Sequence, residues 1–235
     1  MDMITGKYCF VQFKENISSC EQPLPVKNLS DLRFFINSGI TQLNIDIVNV
    51  GGVLIREFVH SFNYFSTGLD LKKIMAPGDC FRLKLNNKGT GKVYYSNVFV
   101  FLPDTDYMLL EYWCDKDEFG FHYEANRPNR VRIPAILHKP GYLESDAKYT
   151  DSNGKTRILY KEIRKKYVFH TDYISYDLHD KIKIALAHDL VLIDGLEYEE
   201  TGNYKLGDEI VRECVDTVMG ETEVAENFVE RNTNC

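Results

Sequence analysis

The stretch HTDYISYDLHDKIKIALAHDLVLIDGLEYEETGN, from His170 to Asn203, holds a helical period and a strand period back to back. Leu178, Ile182, Ala185 or Leu186, and Leu190 recur at helical spacing and form one apolar stripe. Ser175 or Asp177 stands where a side-chain oxygen can cap the first turn, and the Asp177 charge suits its positive end. After Leu190 the period changes to that of a strand. Asp194-Gly195 is a dipeptide that accepts positive φ at both central positions of a type I′ turn, and Leu196–Glu200 returns from it. The passage predicts a helix over about 176–189 and a hairpin over about 190–200.

Around this passage the chain reads as strands. Lys7–Lys14, Leu32–Ile36 and Thr41–Val50 come first, and in the last Leu43, Ile45 and Ile47 alternate with polar neighbours. Gly51-Gly52 interrupts before Val53–Phe58, and the Pro77-Gly78-Asp79 turn launches Cys80–Leu85, with Phe81, Leu83 and Leu85 on one face. Val93–Leu102 is apolar on both faces and reads as a central strand. Met108–Trp113 and Val131–Leu137 follow, with Pro134 marking the latter as an edge strand or a bulge. Ser152-Asn153-Gly154 turns into Thr156–Ile163, and Lys166–Thr171 reads as a further strand.

The expected fold is mainly β, with two β-sandwich-like domains, the second carrying the short helix and its β-hairpin. Residues 1–138 form the expected first domain, and 139–207 the second. Residues 208–235 read as an acidic C-terminal arm that pairs as an edge strand or extends onto a neighbour.

Net charge is −7 and lies toward the C-terminus. Residues 1–138 balance 15 basic against 15 acidic groups, whereas 196–235 hold 3 against 11. No basic stripe exists to neutralise phosphates, which argues against sequence-specific nucleic-acid binding. Cys9, Cys20, Cys80, Cys114, Cys214 and Cys235 show no CxxC pair and no nearby His at ligand spacing, so they read as free thiols of a reducing cytoplasm. Met1–Lys14 lacks the apolar run of a secretory leader, and no stretch is apolar enough to span a bilayer as a helix.

Five constellations invite a chemical reading, and each has a plainer one. His179-Asp180 and His188-Asp189 suggest a metal-dependent phosphohydrolase. Nine positions separate the pairs, however, which puts them on opposite sides of a helix, and they read as solvated or capping residues. Cys114 with His122 and Asp115 or Asp117 suggests a thiol–imidazole pair, but the surrounding carboxylates would raise the thiol pKa; a buried structural cysteine fits better. Gly89-Thr90-Gly91-Lys92 lacks the upstream glycine and the strand-to-helix setting of a phosphate loop, and reads as a hairpin loop. Glu111, Asp115, Asp117 and Glu118 beside Tyr112, Trp113 and Phe119 could read a sugar, though aromatic core packing under an acidic turn is the commoner outcome. Arg127, Arg130 and Arg132 form a basic knot that could meet an acidic partner surface. These readings leave no catalytic, cofactor-binding or metal residue assigned.

PGDCFRLKLNN (Pro77–Asn87), VYYSNVFVFL (Val93–Leu102), EYWCDKDEFGFHY (Glu111–Tyr123), NRVRIPAIL (Asn129–Leu137) and Ile163–Tyr204, taken in order, resemble virion proteins of tailed phages and prophages of gut Bacteroidetes. They are especially similar to the tail-barrel ring proteins of crAss-like phages. The resemblance implies a non-enzymatic homo-oligomeric ring subunit in the tail or neck barrel. Its partners would be copies of itself, as a dodecamer, and other neck and tail proteins; DNA would pass as cargo without specific binding, and no membrane or cofactor would be involved. The implied location is the virion, assembled in the host cytoplasm. The alternative expectation is a carbohydrate-binding or host-attachment module on the virion surface, with Trp113 as its platform.

Overall fold

A computed structural model describes residues 5, 8–18, 20–36, 43–60, 64–114, 127–211 and 215–227. Its first half contains β1 (Phe13–Lys14), β2 (Leu24–Val26), β3 (Phe34–Phe35), β4 (Leu43–Asn49), β5 (Leu54–His60), β6 (Tyr64–Phe65), β7 (Cys80–Asn87), β8 (Val93–Ser96) and β9 (Phe99–Phe101). The chain continues through β10 (Leu109–Trp113), β11 (Asn129–Arg132), β12 (Ala135–Leu137), β13 (Gly141–Thr150), β14 (Thr156–Thr171), β15 (Ile174–Ser175) and α1 (Tyr176–Leu186). It finishes with β16 (Leu190–Ile193), β17 (Leu196–Glu200), β18 (Lys205–Ile210) and β19 (Thr217–Glu226).

Two sheets carry nearly all of this. A seven-stranded sheet runs β1-β8-β7-β4-β5, with β9 beside β7 and β2 parallel to β9. A ten-stranded sheet runs β11-β10-β16-β17-β19-β14-β12, with β13 added to β14 and β15 and β18 added to β19. The fold is mainly β and sandwich-like, with one short helix. A single apolar cluster joins the inner surfaces, from Phe10, Ile45 and Phe81 of one part to Leu110, Phe169 and Val224 of the other.

The deciding passage folds as its periodicities require. Ser175 caps α1, its hydroxyl accepting from the Leu178 amide at 3.3 Å, and Leu178, Ile182, Ala185 and Leu186 are buried. Asp194 and Gly195 take φ of 50° and 85°, the left-handed pair of a type I′ turn between β16 and β17. Phe81, Leu83 and Leu85 are fully buried, as their shared face demands.

Elsewhere the pairing departs from the sequence reading. Val93–Leu102 is two strands: Asn97 breaks it by spending its side-chain oxygen on the Gln12 amide, so β8 pairs β1 and β7 while β9 pairs β2 and β7. Pro134 splits Val131–Leu137 into β11 and β12, and β12 pairs only β14, an edge position that suits a residue unable to donate. Strands β10, β11 and β12, which the expected boundary at 138 put with the first half, belong to the ten-stranded sheet. Residues 138–150, just past the expected domain boundary, contain β13, and Thr156–Thr171 is one continuous strand.

The acidic arm is also corrected. Most of its described part is β19, flanked on both sides, with Val218, Gly220, Thr222 and Val224 buried and Glu221 and Glu223 turned away. Alternation lets one strand be core on one face and strongly acidic on the other. The free-thiol expectation holds for Cys9, Cys80 and Cys114 but not for Cys20, which is disulfide-bonded.

Candidate functional site: an outlying hairpin

Most of the described residues that invite a chemical reading have a structural employment. His179 is 3% exposed; its Nδ1 meets the Tyr204 hydroxyl at 2.7 Å and its Nε2 meets the Val218 carbonyl at 2.8 Å. Burial holds its pKa below the ordinary value, and burial likewise pushes the Tyr204 hydroxyl up. The imidazole therefore sits neutral as a bolt between α1 and β19. His188 touches the Ile184 carbonyl through Nδ1 at 2.7 Å and packs edge-on against Tyr112 at 4.9 Å, while Asp180 and Asp189 lie at the surface. The two His-Asp pairs are not brought together. Among the described residues no cluster of three or more His, Cys, Asp or Glu is placed to hold a metal.

Cys114 is buried. His122, Asp115, Asp117, Glu118 and Phe119 lie outside the described residues. Glu111 is taken up by Arg130 at 3.3 Å and Arg33 at 3.7 Å, and Trp113 is half-buried on β10, where its backbone faces Leu190 of β16. An exposed Trp113 in a cleft would have marked a sugar platform; the side chain is neither fully exposed nor fully buried. The Gly89–Lys92 segment is a hairpin loop between β7 and β8. The Asn87 side chain accepts from the Gly89 and Thr90 amides at 3.0 and 3.2 Å, and Gly91 takes φ of 71°.

The basic knot is mostly internal. Arg132 is 7% exposed and its Nε donates to Asp31 at 2.9 Å, while its Nη1 donates to the Tyr107 carbonyl. Arg130 donates to the Ser30 carbonyl at 3.3 Å, and Arg127 lies over the Tyr64 ring at 5.5 Å. The Arg130 and Arg132 contacts stitch β11 to the Leu29–Asp31 turn, and Arg127 stays exposed. A cleft of about 290 Å³ opens beside α1, lined among others by Lys14, Glu21, Asp177 and Lys181. Its charges answer one another: Lys181 pairs with Asp177 at 2.5 Å, and Glu21 with Arg82 at 2.7 Å and Lys14 at 3.5 Å.

Among the described residues, the β13–β14 hairpin is the element least engaged with its own subunit, Arg164 pairing with Glu199 near its base. Lys166 is the last residue of β14, counting back toward the tip, that also pairs with β19; from Lys165 to Thr156 its one partner is β13. Nine residue pairs therefore stand clear of the sheet, a reach of about 30 Å at the usual rise of a strand. No residue of 141–165 is buried, so neither face rests on a body. Asp151 holds the tip by accepting from the Asn153 and Lys155 amides, both at 3.0 Å, and Gly154 takes φ of 74°.

The arm is nonetheless rich in apolar side chains. Tyr142 is 67% exposed and Leu159 66%, with Tyr149, Ile158, Tyr160 and Ile163 also open to solvent. The register puts Tyr142, Ile158 and Ile163 on one face and Leu143, Tyr149 and Tyr160 on the other. Residues 141–166 carry seven Lys or Arg against four Asp or Glu in a chain of net charge −7. The Ser152-Asn153-Gly154 turn was visible in the sequence; the absence of anything beneath the two strands was not. Comparison with protein-family models, with curated proteins and with solved structures found no match to this chain.

Proposed function

We propose that the chain is a non-enzymatic virion structural protein, a subunit of an oligomeric ring in the tail or neck barrel of a tailed phage. The observation that supports this reading is the 30 Å arm, a two-stranded ribbon with exposed apolar side chains on both faces, tied to the rest of the described subunit near its base by the Arg164–Glu199 ion pair. An isolated ribbon of two strands is marginal in water, and exposed apolar area on this scale marks a surface that meets another molecule. In a ring every copy has such a neighbour. The residues with catalytic potential are instead engaged in packing, as His179, Glu111 and Arg132 illustrate.

Within the ring the protein would meet copies of itself and other neck and tail proteins. DNA would pass without sticking, because the acidic groups of residues 196–226 repel phosphate. Mass spectrometry of purified particles of the phage that encodes this chain tests the proposal. The expected result is the protein present in several copies per particle and retained through density-gradient purification. Its absence from intact particles would overturn the reading.

A further inference from the structure

We propose that the arm of one copy lies along the β18 edge of the next copy, so that the ten-stranded sheets of successive subunits are joined head to tail. This rests on the reading that the chain assembles with itself, and it names the two surfaces involved.

Topology places those surfaces on opposite flanks. Glu221 of β19 pairs with His170 of β14 on one side and with Lys205 of β18 on the other. The arm therefore leaves from one side of β19 and β18 lies on the other. Both end in open edges: from Thr156 to Lys165 β14 pairs only β13, which leaves its other flank unpaired, and β18 pairs only β19 among the described residues. Two different patches that fit each other make a heterologous contact, which closes into a ring when the rotation allows. An unpaired strand edge is the surface to which a strand from another chain adds.

The chemistry of the two patches matches. Every residue of β18 is exposed, and Leu206, Ile210 and the following Val211, 78% exposed, present apolar side chains beside Asp208 and Glu209. These answer Ile158, Leu159, Tyr160 and Ile163 of the arm, interleaved with Arg157, Lys161 and Lys165. Residues 196–226 hold ten acidic groups against two basic, the opposite of the arm's surplus. An arm-to-arm contact would instead set cation against cation. Some arm cations already pair locally, Lys161 with Glu144 at 3.2 Å and Arg157 with Asp151 at 3.3 Å. Such exposed pairs contribute little and exchange readily.

The test uses two variants of the full chain and light scattering after size-exclusion chromatography. The arm variant is Ile158→Ser, Leu159→Ser, Tyr160→Ser, Ile163→Ser; the edge variant is Leu206→Ser, Ile210→Ser, Val211→Ser. All seven side chains are exposed, so circular dichroism and thermal unfolding of each variant should match the wild type. The wild type is expected to be oligomeric and each variant to have the mass of one copy. Mixed one to one, they should reach the mass of two copies and stop, because the arm-dead copy keeps a live edge and the edge-dead copy a live arm. A charge-reversed pair, Lys161→Glu with Lys165→Glu and Asp208→Lys with Glu209→Lys, covers the case in which a serine variant fails to fold: each should have the mass of one copy alone, and mixed they should regain the wild-type oligomer, because the reversed arm meets the reversed edge while the native arm meets the native edge. A monomeric wild type, a variant that stays oligomeric, or mixed variants that remain apart would each overturn the contact. Particles that contain the protein, with variants that do not recombine, would sink this contact alone and leave the virion reading standing.

Discussion

Replacing Gly220 with alanine probes how α1 is fastened to the larger sheet. β19 passes so close to the helix that a Cβ at this position would lie 2.6 Å from His179 Cε1, 2.6 Å from the Tyr204 hydroxyl oxygen and 2.7 Å from His179 Nδ1. The strand cannot easily retreat, because the Gly220 amide donates to Thr171 Oγ1 at 2.7 Å. Nor can the imidazole, which is held by the Val218 carbonyl at 2.8 Å. Overpacking a close contact costs about 1–3 kcal/mol, and the 2.7 Å His179–Tyr204 hydrogen bond would be strained or lost for about 1 more. Together these give roughly 2–4 kcal/mol, a fall in Tm of about 4–16 °C for a chain of this size. Urea unfolding followed by circular dichroism measures it. A second arm of the experiment uses Tyr204→Phe, which removes one of the clashing atoms. In that background Gly220→Ala should cost about 1 kcal/mol less, the coupling expected of groups in contact. Gly220→Ala within about 0.5 kcal/mol of wild type, or fully additive with Tyr204→Phe, would refute the reasoning, since surface-like tolerance means no close approach exists.

Three further outcomes follow from the same contacts. Asp31→Asn leaves the buried Arg132 guanidinium without its counter-charge and should cost about 3–5 kcal/mol in chemical unfolding, while Asp31→Asn with Arg132→Met should recover much of that loss. His179 is held neutral by burial below its ordinary value of 6.5, so the unfolded chain binds the proton first. Stability is therefore full above pH 6.5 and declines as the pH falls through the folded-state value; Tm compared at pH 7.5 and 5.5 should drop more for wild type than for His179→Gln. In hydrogen exchange read by mass spectrometry on a non-assembling variant, peptides from 142–165 should exchange much faster than those from 217–226, because the arm's ladder has solvent on both faces and β19 is flanked by strands on both sides. Equal protection of the two segments would mean the arm packs on its own subunit.

Local chemistry was enough to specify α1, its Ser175 cap, the Asp194-Gly195 turn and the turn at Ser152–Gly154. Each of these depends on φ preferences and on side chains within four residues of one another. The same is true of the buried face of Phe81, Leu83 and Leu85, since a strand's period is written in its own residues. Sequence also located the acidic surplus after residue 196, although not that Glu221 and Glu223 within it sit on the outward face of an interior strand. Only the tertiary structure decided which strands are neighbours. Arg132 and Asp31 meet across 101 residues, β10–β12 join the sheet of the second half, and the disulfide at Cys20 reflects approach in space that spacing along the chain does not encode. The arm is the sharpest case. Its alternating Tyr, Ile and Lys residues would suit a half-buried strand, and they stand exposed because no other described segment of the subunit packs beneath them. Burial is a property of pairs of surfaces, so a strand's own pattern can say that it wants a partner but not that its subunit fails to supply one.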